Sequence, residues 1–206
     1  SVALIGSGPA SIAAARELAL RDYDVTIFEA SSHAGGTTTY GIPTFRLHKE
    51  IVWREADMLE KMGVAIQYHI KIGTDKTIDE LQQQFDAVFI GVGTMDAWSL
   101  GVANDTVEGV VNAEQFLVQV QNVQLGEETI DNLPIQKGDQ VIVVGAGNVA
   151  IDAARTALRL GADVKIVYRR AEKNMKCLPS EYEEAKADGV QFQFYSAPKA
   201  VVGTTH

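Results

Sequence analysis

The chain has 206 residues, which favours one or two domains at about 150 residues each. It carries 27 acidic and 18 basic side chains, and the net charge of −9 argues against a protein that neutralises nucleic-acid or membrane phosphates in bulk. The single cysteine, Cys177, excludes an internal disulfide, a CxxC pair and a cysteine-ligated zinc or iron–sulfur centre within these residues. No apolar run approaches the roughly 18 residues of a membrane span, so we expect a reducing, cytoplasmic setting.

The predicted elements follow the chain as alternating strands and helices. We predict strands at residues 2–5, 25–28, 64–68, 87–92, 141–144, 164–168 and 190–195. We predict helices at residues 8–21, 47–62, 113–120, 147–160 and 179–188. The polar, turn-rich segment 125–140 predicts a boundary near Pro134, between a first domain at 1–130 and a second at 131–206.

The chain repeats itself at a constant offset of 139 residues. Residues 2–28 align without a gap on residues 141–167, and 10 of the 27 positions are identical. Each copy has an apolar strand, a glycine-rich turn, a helix and a second strand, which is typical of a right-handed βαβ unit. The apolar runs 2–5 and 141–144 are of the kind buried on both faces of a parallel sheet. The fold class is therefore predicted as α/β, with two Rossmann-like dinucleotide-binding domains.

The first glycine turn has the pattern of a dinucleotide-binding loop. It runs Gly6-Ser7-Gly8-Pro9-Ala10-Ser11, where the first glycine allows the tight turn and the second lets the backbone approach a pyrophosphate. Glu29 ends the second strand, 21 residues after Gly8, where an acidic side chain accepts hydrogen bonds from ribose hydroxyls. This combination predicts a dinucleotide with an unmodified ribose.

The second glycine turn, Gly145-Ala146-Gly147-Asn148-Val149-Ala150, ends differently. The following strand finishes in Tyr168-Arg169-Arg170, with no carboxylate. Guanidinium groups form bidentate, charge-assisted bonds with phosphate oxygens, so the pair predicts an NADP 2′-phosphate, with Lys176 as a further candidate partner. A net gain of about 1.5–3 kcal/mol, that of one charge-assisted bond, corresponds to tenfold to a few hundredfold, which is the preference for NADP over NAD that we expect from the pair. The alternative to a phosphate-binding role is an exposed basic pair on a solvated loop.

Three further segments carry a family resemblance over essentially the whole chain. They are G-G-T-T-T-Y-G-I-P-T-F-R-L at 35–47, F-D-A-V-F-I-G-V-G-T at 85–94, and Y-R-R followed by N-M at 168–175. With the glycine turns, they resemble the glutamate synthase small-subunit family and the FAD/NADPH region of dihydropyrimidine dehydrogenase, among flavoproteins of the pyridine nucleotide-disulfide type. The resemblance implies a reductase that passes hydride from NADPH to FAD. It also implies that electrons pass on to iron–sulfur clusters and a larger catalytic subunit.

The resemblance also implies binding residues by position. FAD would be held by Gly6, Gly8, Pro9, Ala10, Ser11, Glu29, Gly36, Thr37, Arg46, Ile72, Gly93 and Thr94. NADPH would lie on Gly145, Ala146, Gly147, Asn148 and Val149, with Arg169, Arg170 and Lys176 at the 2′-phosphate. The family's cysteine-rich N-terminal segment and its C-terminal return of the FAD domain are absent from this sequence. We therefore expect a truncated chain with the first part of an FAD domain and an incomplete NADP domain.

No catalytic acid, base or metal site is predicted, because hydride transfer is the cofactors' own chemistry. Structural or surface roles are expected for the histidines and tryptophans, His33, His48, His69, His206, Trp53 and Trp98. A solvated helix face is expected for Glu181, Glu183, Glu184 and Asp188, and an inert thiol for Cys177. Two alternatives stay open. One is a dihydropyrimidine dehydrogenase subunit, and the other is a nucleotide-binding module without catalysis.

Overall fold

The computed structural model describes residues 1–94 and 99–202 and consists of two compact units, Ser1–Met95 and Asp96–His206. Our expectations for Trp98 and His206 fall outside the described residues. Within the two described ranges, no helix is both long enough and apolar enough to cross a membrane.

The first unit alternates strands and helices. Its strands are β1 (Val2–Ile5), β2 (Val25–Phe28), β3 (Ala65–Gln67) and β4 (Ala87–Ile90). Its helices are α1 (Pro9–Ala19), α2 (Thr37–Tyr40), α3 (Lys49–Lys61) and α4 (Ile78–Gln84). The strands form a parallel sheet in the order β3-β2-β1-β4.

Strand β1 is buried on both faces, as predicted. Leu4 belongs to a buried cluster with Ile27 and Leu59, whereas Ile5 belongs to a second cluster with Leu81. Successive side chains point to opposite faces of a strand, so these clusters lie on opposite sides of the sheet. The first glycine turn thus follows a strand that helices cover from both sides, which fixes its position at the carboxyl edge of the sheet.

The second unit repeats this alternation. Its helices are α5 (Ala113–Leu125), α6 (Asn148–Arg159) and α7 (Pro179–Asp188), and its strands are β5 (Gln140–Val144), β6 (Asp163–Val167) and β7 (Gln191–Gln193). Short 3₁₀ turns lie at Ile130–Asn132 and Glu172–Asn174. The strands form a parallel sheet in the order β5-β6-β7.

The sequence repeat is also a repeat of strand register. Val2 of β1 lies opposite Val25 of β2, and Val141 of β5 lies opposite Val164 of β6. Both residues of the second pair follow those of the first by 139 positions. The prediction of two βαβ units and an α/β fold is confirmed.

Strand β5 departs from the prediction that it is buried on both faces. Val141 and Val143 pack against the core of the second unit, but Ile142 is 67% exposed and Val144 is 44% exposed. Ile142 and Val144 alternate with Val141 and Val143, so they share the face of β5 opposite to the one that packs against the core.

The compact units divide earlier in the chain than the predicted domain boundary. Helix α5, longer than the predicted 113–120, places Phe116 and Leu117 in one buried cluster with Ile151 of α6. Apolar contact with α6 therefore makes α5 part of the second unit, although it precedes Pro134. The assignment of FAD and NADP to the two domains stays a prediction.

Helices α2 and α4 were not predicted. Helix α4 begins with a capping box, in which Thr77 accepts from the backbone N–H of Glu80 and Glu80 accepts from that of Thr77. The T-x-x-E pattern of such a box is visible in a sequence, so the signal for α4 was available. Helix α2 is a single turn, too short to show helical periodicity.

The prediction of one solvated acidic face on α7 is wrong for Glu181, whereas the other three residues are exposed as expected. Glu181 is buried, while Glu184 and Asp188 accept hydrogen bonds from the buried guanidinium of Arg155 on α6. Glu183, Glu184 and Asp188 are exposed, and Glu183 is paired with Lys186 one turn later. The acidic residues face α6 because Arg155 needs anionic partners when it is removed from water.

Candidate functional site: two glycine turns at strand ends

The first glycine turn has the backbone of an anion-binding loop. Gly6 has φ +84°, a conformation that favours glycine, and Gly8 is the extended N-cap of α1. No side chain caps this helix, and Pro9 at its start has no N–H. The N–H groups of Ala10 and Ser11 lie in the first turn, where an α-helix offers them no acceptor. The turn therefore presents backbone donors and the positive end of the helix dipole.

Ser11 packs against the end of β4 rather than facing solvent. Its side chain is fully buried, and its Oγ is among the described buried atoms without a hydrogen-bond partner. A Cβ at Gly91, the residue after β4, would lie 2.0 Å from this Oγ. The small residue at this position thus allows α1 to approach the sheet, and any contact between Ser11 and a pyrophosphate would come from its backbone.

Glu29 is anchored to the first turn by Ser7, which sequence reasoning missed. The Ser7 N–H and hydroxyl both donate to Glu29 Oε2, at 2.9 and 2.5 Å, and the Ser31 N–H donates to Glu29 Oε1 at 2.7 Å. Ser7 and Glu29 are both buried. The available signal was a hydroxyl between two turn glycines, at the end of a strand parallel to the one that ends in Glu29.

The glycine pair at 35–36 lies against the first turn. The Gly35 N–H donates to the Ser7 carbonyl at 2.9 Å. Gly36 has φ +52°, and a Cβ there would lie 3.0 Å from the Cα of Gly8. The exposed Thr37 follows as the first residue of α2. The structure thus brings together the turn, the acid and the Gly36–Thr37 segment that the sequence analysis assigned to FAD.

A buried lysine holds the segment after the glycine pair. Lys49 is 3% exposed, and its Nζ donates to the Thr38 carbonyl at 3.0 Å and to the Ile42 carbonyl. It therefore joins α2 to the start of α3. Beside it, the His33 ring stacks on Trp53 with centroids 4.7 Å apart. These contacts agree with the packing role expected for Trp53.

The remaining residues assigned to FAD lie farther along the first unit. Ile72 packs against the cluster that contains Ile5 and Leu81. Arg46 is half-buried, and Gly93 and Thr94 are exposed after β4. No contact described here joins these four residues to the glycine turn, so their roles stay predictions.

The second glycine turn has the same construction. Gly145 has φ +131° and donates its N–H to the Val167 carbonyl at 3.0 Å. Gly147 is the extended N-cap of α6 and no side chain caps the helix. Asn148 and Val149 occupy the exposed first turn. Backbone donors therefore face outward here as they do in the first unit.

The three basic residues predicted from the sequence meet at this second turn. A pocket of about 170 Å³ is lined by Ala146, Gly147, Tyr168, Arg169, Arg170 and Lys176. Both arginines and Lys176 are exposed, so their charges are available to an anion in the pocket. The geometry matches a nucleotide whose pyrophosphate lies on the turn and which carries an additional phosphate.

Cys177 borders this turn without the properties of a nucleophile. Burial raises the pKa of its thiol above the usual range, and the nearby carboxylate of Glu181 raises the pKa further. Because the thiolate is the reactive form, this environment keeps the thiol protonated near neutral pH. The expectation of an inert cysteine agrees with this direction.

The chain is similar to known proteins in sequence and in fold. A family model described as pyridine nucleotide-disulphide oxidoreductase matches residues 1–206. The chain is 41% identical over 204 residues to the NADP(+)-dependent formate dehydrogenase subunit beta of Moorella thermoacetica, covering 98% of this chain and 28% of that protein. It is 36% identical over 203 residues to the glutamate synthase [NADPH] small chain of Escherichia coli (strain K12), covering 97% of this chain and 43% of that protein.

A solved structure, Mycobacterium tuberculosis FprA in complex with NADPH, superposes with a TM-score of 0.77. It is 19% identical and covers 98% of this chain and 61% of that one. This likeness supports the fold. The chain spans less than half the length of the two curated relatives.

Proposed function

The chain belongs to the pyridine nucleotide-disulphide oxidoreductase family, and from this premise we propose that it is the nucleotide-binding part of an NADPH-dependent flavoprotein oxidoreductase. FAD binds the first unit and NADPH the second. When both are bound, the cofactors supply hydride transfer from the nicotinamide to the flavin. The protein's own residues hold each nucleotide and tell the two apart. This function is that of the glutamate synthase small-subunit type, which the sequence motifs resemble and a relative at 36% identity supports.

The observation that carries the proposal is the opposite charge at the ends of two otherwise similar turns. In the first unit, the Glu29 carboxylate is bonded to the turn through Ser7. In the second, Arg169, Arg170 and Lys176 line a pocket with the turn itself. A carboxylate accepts hydrogen bonds from ribose hydroxyls and repels a 2′-phosphate, whereas guanidinium and ammonium groups bind that phosphate.

The residues of the first unit fit an FAD pyrophosphate. The N-terminus of α1 lacks a side-chain cap. Glycine at positions 6 and 36 lets the turn pack closely against neighbouring backbone, because a Cβ would lie 2.8 Å from the Gly91 carbonyl or 3.0 Å from Gly8 Cα. Gly8, Ala10 and Ser11 would hold the pyrophosphate through the backbone, and Glu29 would accept from the ribose. Gly36 and Thr37 would border the flavin.

We further propose that the chain works beside a partner subunit. Curated relatives are named as a subunit beta and as a small chain, which are parts of larger assemblies. Electrons would leave the flavin for iron–sulfur clusters of that partner, an extension that rests on the resemblance of motifs 35–47 and 85–94. A cytoplasmic location belongs to the same proposal, because NADPH-dependent reduction needs a reducing compartment.

An anaerobic titration of the purified chain tests the proposal. After FAD is added and free flavin removed, we expect the visible flavin band to bleach with NADPH at lower concentrations than with NADH. Arg169→Ala combined with Arg170→Ala should reduce the preference for NADPH by about tenfold to a hundredfold. The matched control is Lys173→Ala, which removes a positive charge from the same loop outside the pocket lining.

The outcomes separate the two halves of the proposal. If the double variant keeps the wild-type preference, the arginines do not bind the 2′-phosphate and the NADPH assignment fails. If the chain takes up no FAD, the FAD assignment fails for this length of chain. The preference should also weaken as salt is raised, because the arginine charges are exposed.

A further inference from the structure

The loop between β6 and α7, residues 168–178, carries Lys176 and is attached directly to the second glycine turn. The backbone N–H groups of Lys176 and Cys177 both donate to the carbonyl of Ala146, at 3.0 and 3.2 Å. One residue farther, the Leu178 N–H donates to the side-chain Oδ1 of Asn148 at 3.1 Å. Three consecutive N–H groups of the loop therefore bond to two residues of the turn. Of these bonds, only the one to Asn148 depends on a side chain.

The opposite end of the loop is also held. The Tyr168 hydroxyl donates to the backbone carbonyl of Asn174 at 2.7 Å, and a 3₁₀ turn at Glu172–Asn174 shortens the path between the two ends. At the far side, Leu178 is the N-cap of α7 and Pro179 begins the helix. The Lys176 backbone is thus held by the Ala146 carbonyl, with the Tyr168 bond before it and the Asn148 bond just after it.

We infer that Asn148 is a positioning residue for Lys176, and through it a determinant of NADP over NAD specificity. The sequence analysis placed Asn148 on the pyrophosphate, but its Oδ1 is bonded to Leu178, two residues from the ammonium that lines the pocket. Loss of this bond leaves the Ala146 carbonyl as the remaining contact of segment 176–178 with the turn described above, which loosens the segment at Lys176 while the arginines, on the strand side of the pocket, stay in place. The inference rests on the proposed NADPH site.

The inference makes a distinctive prediction about ligands. Adenosine 2′,5′-bisphosphate and adenosine 5′-monophosphate share the 5′-phosphate, and only the first has a 2′-phosphate. A residue that contacts the pyrophosphate position changes the affinity for both ligands alike. A residue that positions Lys176 changes the affinity for the 2′-phosphorylated ligand and leaves that for the other nearly constant.

Titration calorimetry of the full chain with these two nucleotides tests the inference without any flavin or turnover. We expect Asn148→Ala to lower the ratio of the two affinities by about three- to tenfold, the share of one solvent-exposed charged hydrogen bond. Asn148→Ser keeps a neutral oxygen acceptor near the Leu178 N–H and should keep the ratio closer to the wild-type value than Asn148→Ala does. Asn174→Ala is the matched control, because Asn174 contributes only its backbone carbonyl to the loop contacts described above.

A double-mutant cycle decides whether Asn148 acts through Lys176. Lys176→Met should lower the ratio by a similar factor, and adding Asn148→Ala should lower it no further, because the lysine is already absent. Additive effects, or an unchanged ratio in Asn148→Ala, would overturn the inference. A wild-type chain that fails to distinguish the two nucleotides would instead refute the NADPH site on which the inference rests.

Discussion

The contact between Gly91 and Ser11 predicts that one methyl group destabilises the first unit strongly. A Cβ at Gly91 would lie 2.0 Å from Ser11 Oγ and 3.1 Å from the Phe89 ring, against about 3.5 Å for unstrained heavy atoms. Gly91 does not have a positive φ, so the penalty of Gly91→Ala is steric. Relief requires the buried Ser11 side chain to rotate or α1 to move away from the sheet, and we expect a loss of about 1–3 kcal/mol in the free energy of unfolding.

The same contact predicts a rescue by removing the Ser11 hydroxyl. Ser11→Ala alone deletes a buried Oγ that has no hydrogen-bond partner, so stability should stay constant or rise by up to about 1 kcal/mol. In the Gly91→Ala background, the same substitution should restore about 2 kcal/mol. Gly8→Ala is the control, since its Cβ would meet the Gly91 carbonyl at an ordinary 3.9 Å.

Urea unfolding followed by tryptophan fluorescence provides the measurement. The chain has two tryptophans, and a Trp98→Phe background leaves Trp53 as the reporter of the first unit. If Gly91→Ala lowers the free energy of unfolding by the same amount with and without Ser11→Ala, the two residues do not touch, and the packing argument would be refuted. Retention of FAD by Ser11→Ala would indicate that only its backbone is needed for the pyrophosphate.

Two further predictions concern buried polar groups. Ser7→Ala should cost about 1–3 kcal/mol, because buried Glu29 loses a hydroxyl donor, and an unchanged urea midpoint would contradict this. Arg155→Met should cost about 2 kcal/mol, near the low end for a buried pair because its partners Glu184 and Asp188 keep access to water. Burial alone raises the pKa of Asp188, but hydrogen bonds from the arginines lower it overall. Wild type should therefore be more stable than Arg155→Met by the full amount above about pH 4, and this difference in stability should shrink as the pH falls further. A constant difference in urea midpoint from pH 7 to pH 3 would contradict this prediction.

The parts of the fold that the sequence predicts are those that depend on backbone constraint and on apolar periodicity. The two glycine turns, the strands beside them and the acid at position 29 follow from local pattern and from the repeat at 139 residues. The family prediction is confirmed by the match over residues 1–206. The clustering of Arg169, Arg170 and Lys176 at the second turn also agrees with its expectation from the strand end.

The burial of a residue could not be predicted where equivalent residues of the repeat contact different elements. Arg16 and Arg155 are equivalent in the repeat, yet Arg16 is exposed whereas Arg155 is buried between two carboxylates of α7. The difference arises from an element outside the repeat, which packs on α6. The exposure of Ile142 has the same kind of origin, because it depends on which elements cover each face of β5 and not on its own sequence.

Under the proposed function, the repeat lets one backbone design bind two different nucleotides. Ser7 and Glu29 of the first copy correspond to Ala146 and Tyr168 of the second, so the hydroxyl donor and the carboxylate it holds are replaced together. A carboxylate without its donor would be costly to bury, and a buried hydroxyl without its acceptor would be unsatisfied. In the second copy the Ala146 carbonyl instead bonds the loop that carries Lys176. The paired replacement thus removes a negative charge from the ribose end of the turn, and the same turn brings a positive charge to its place.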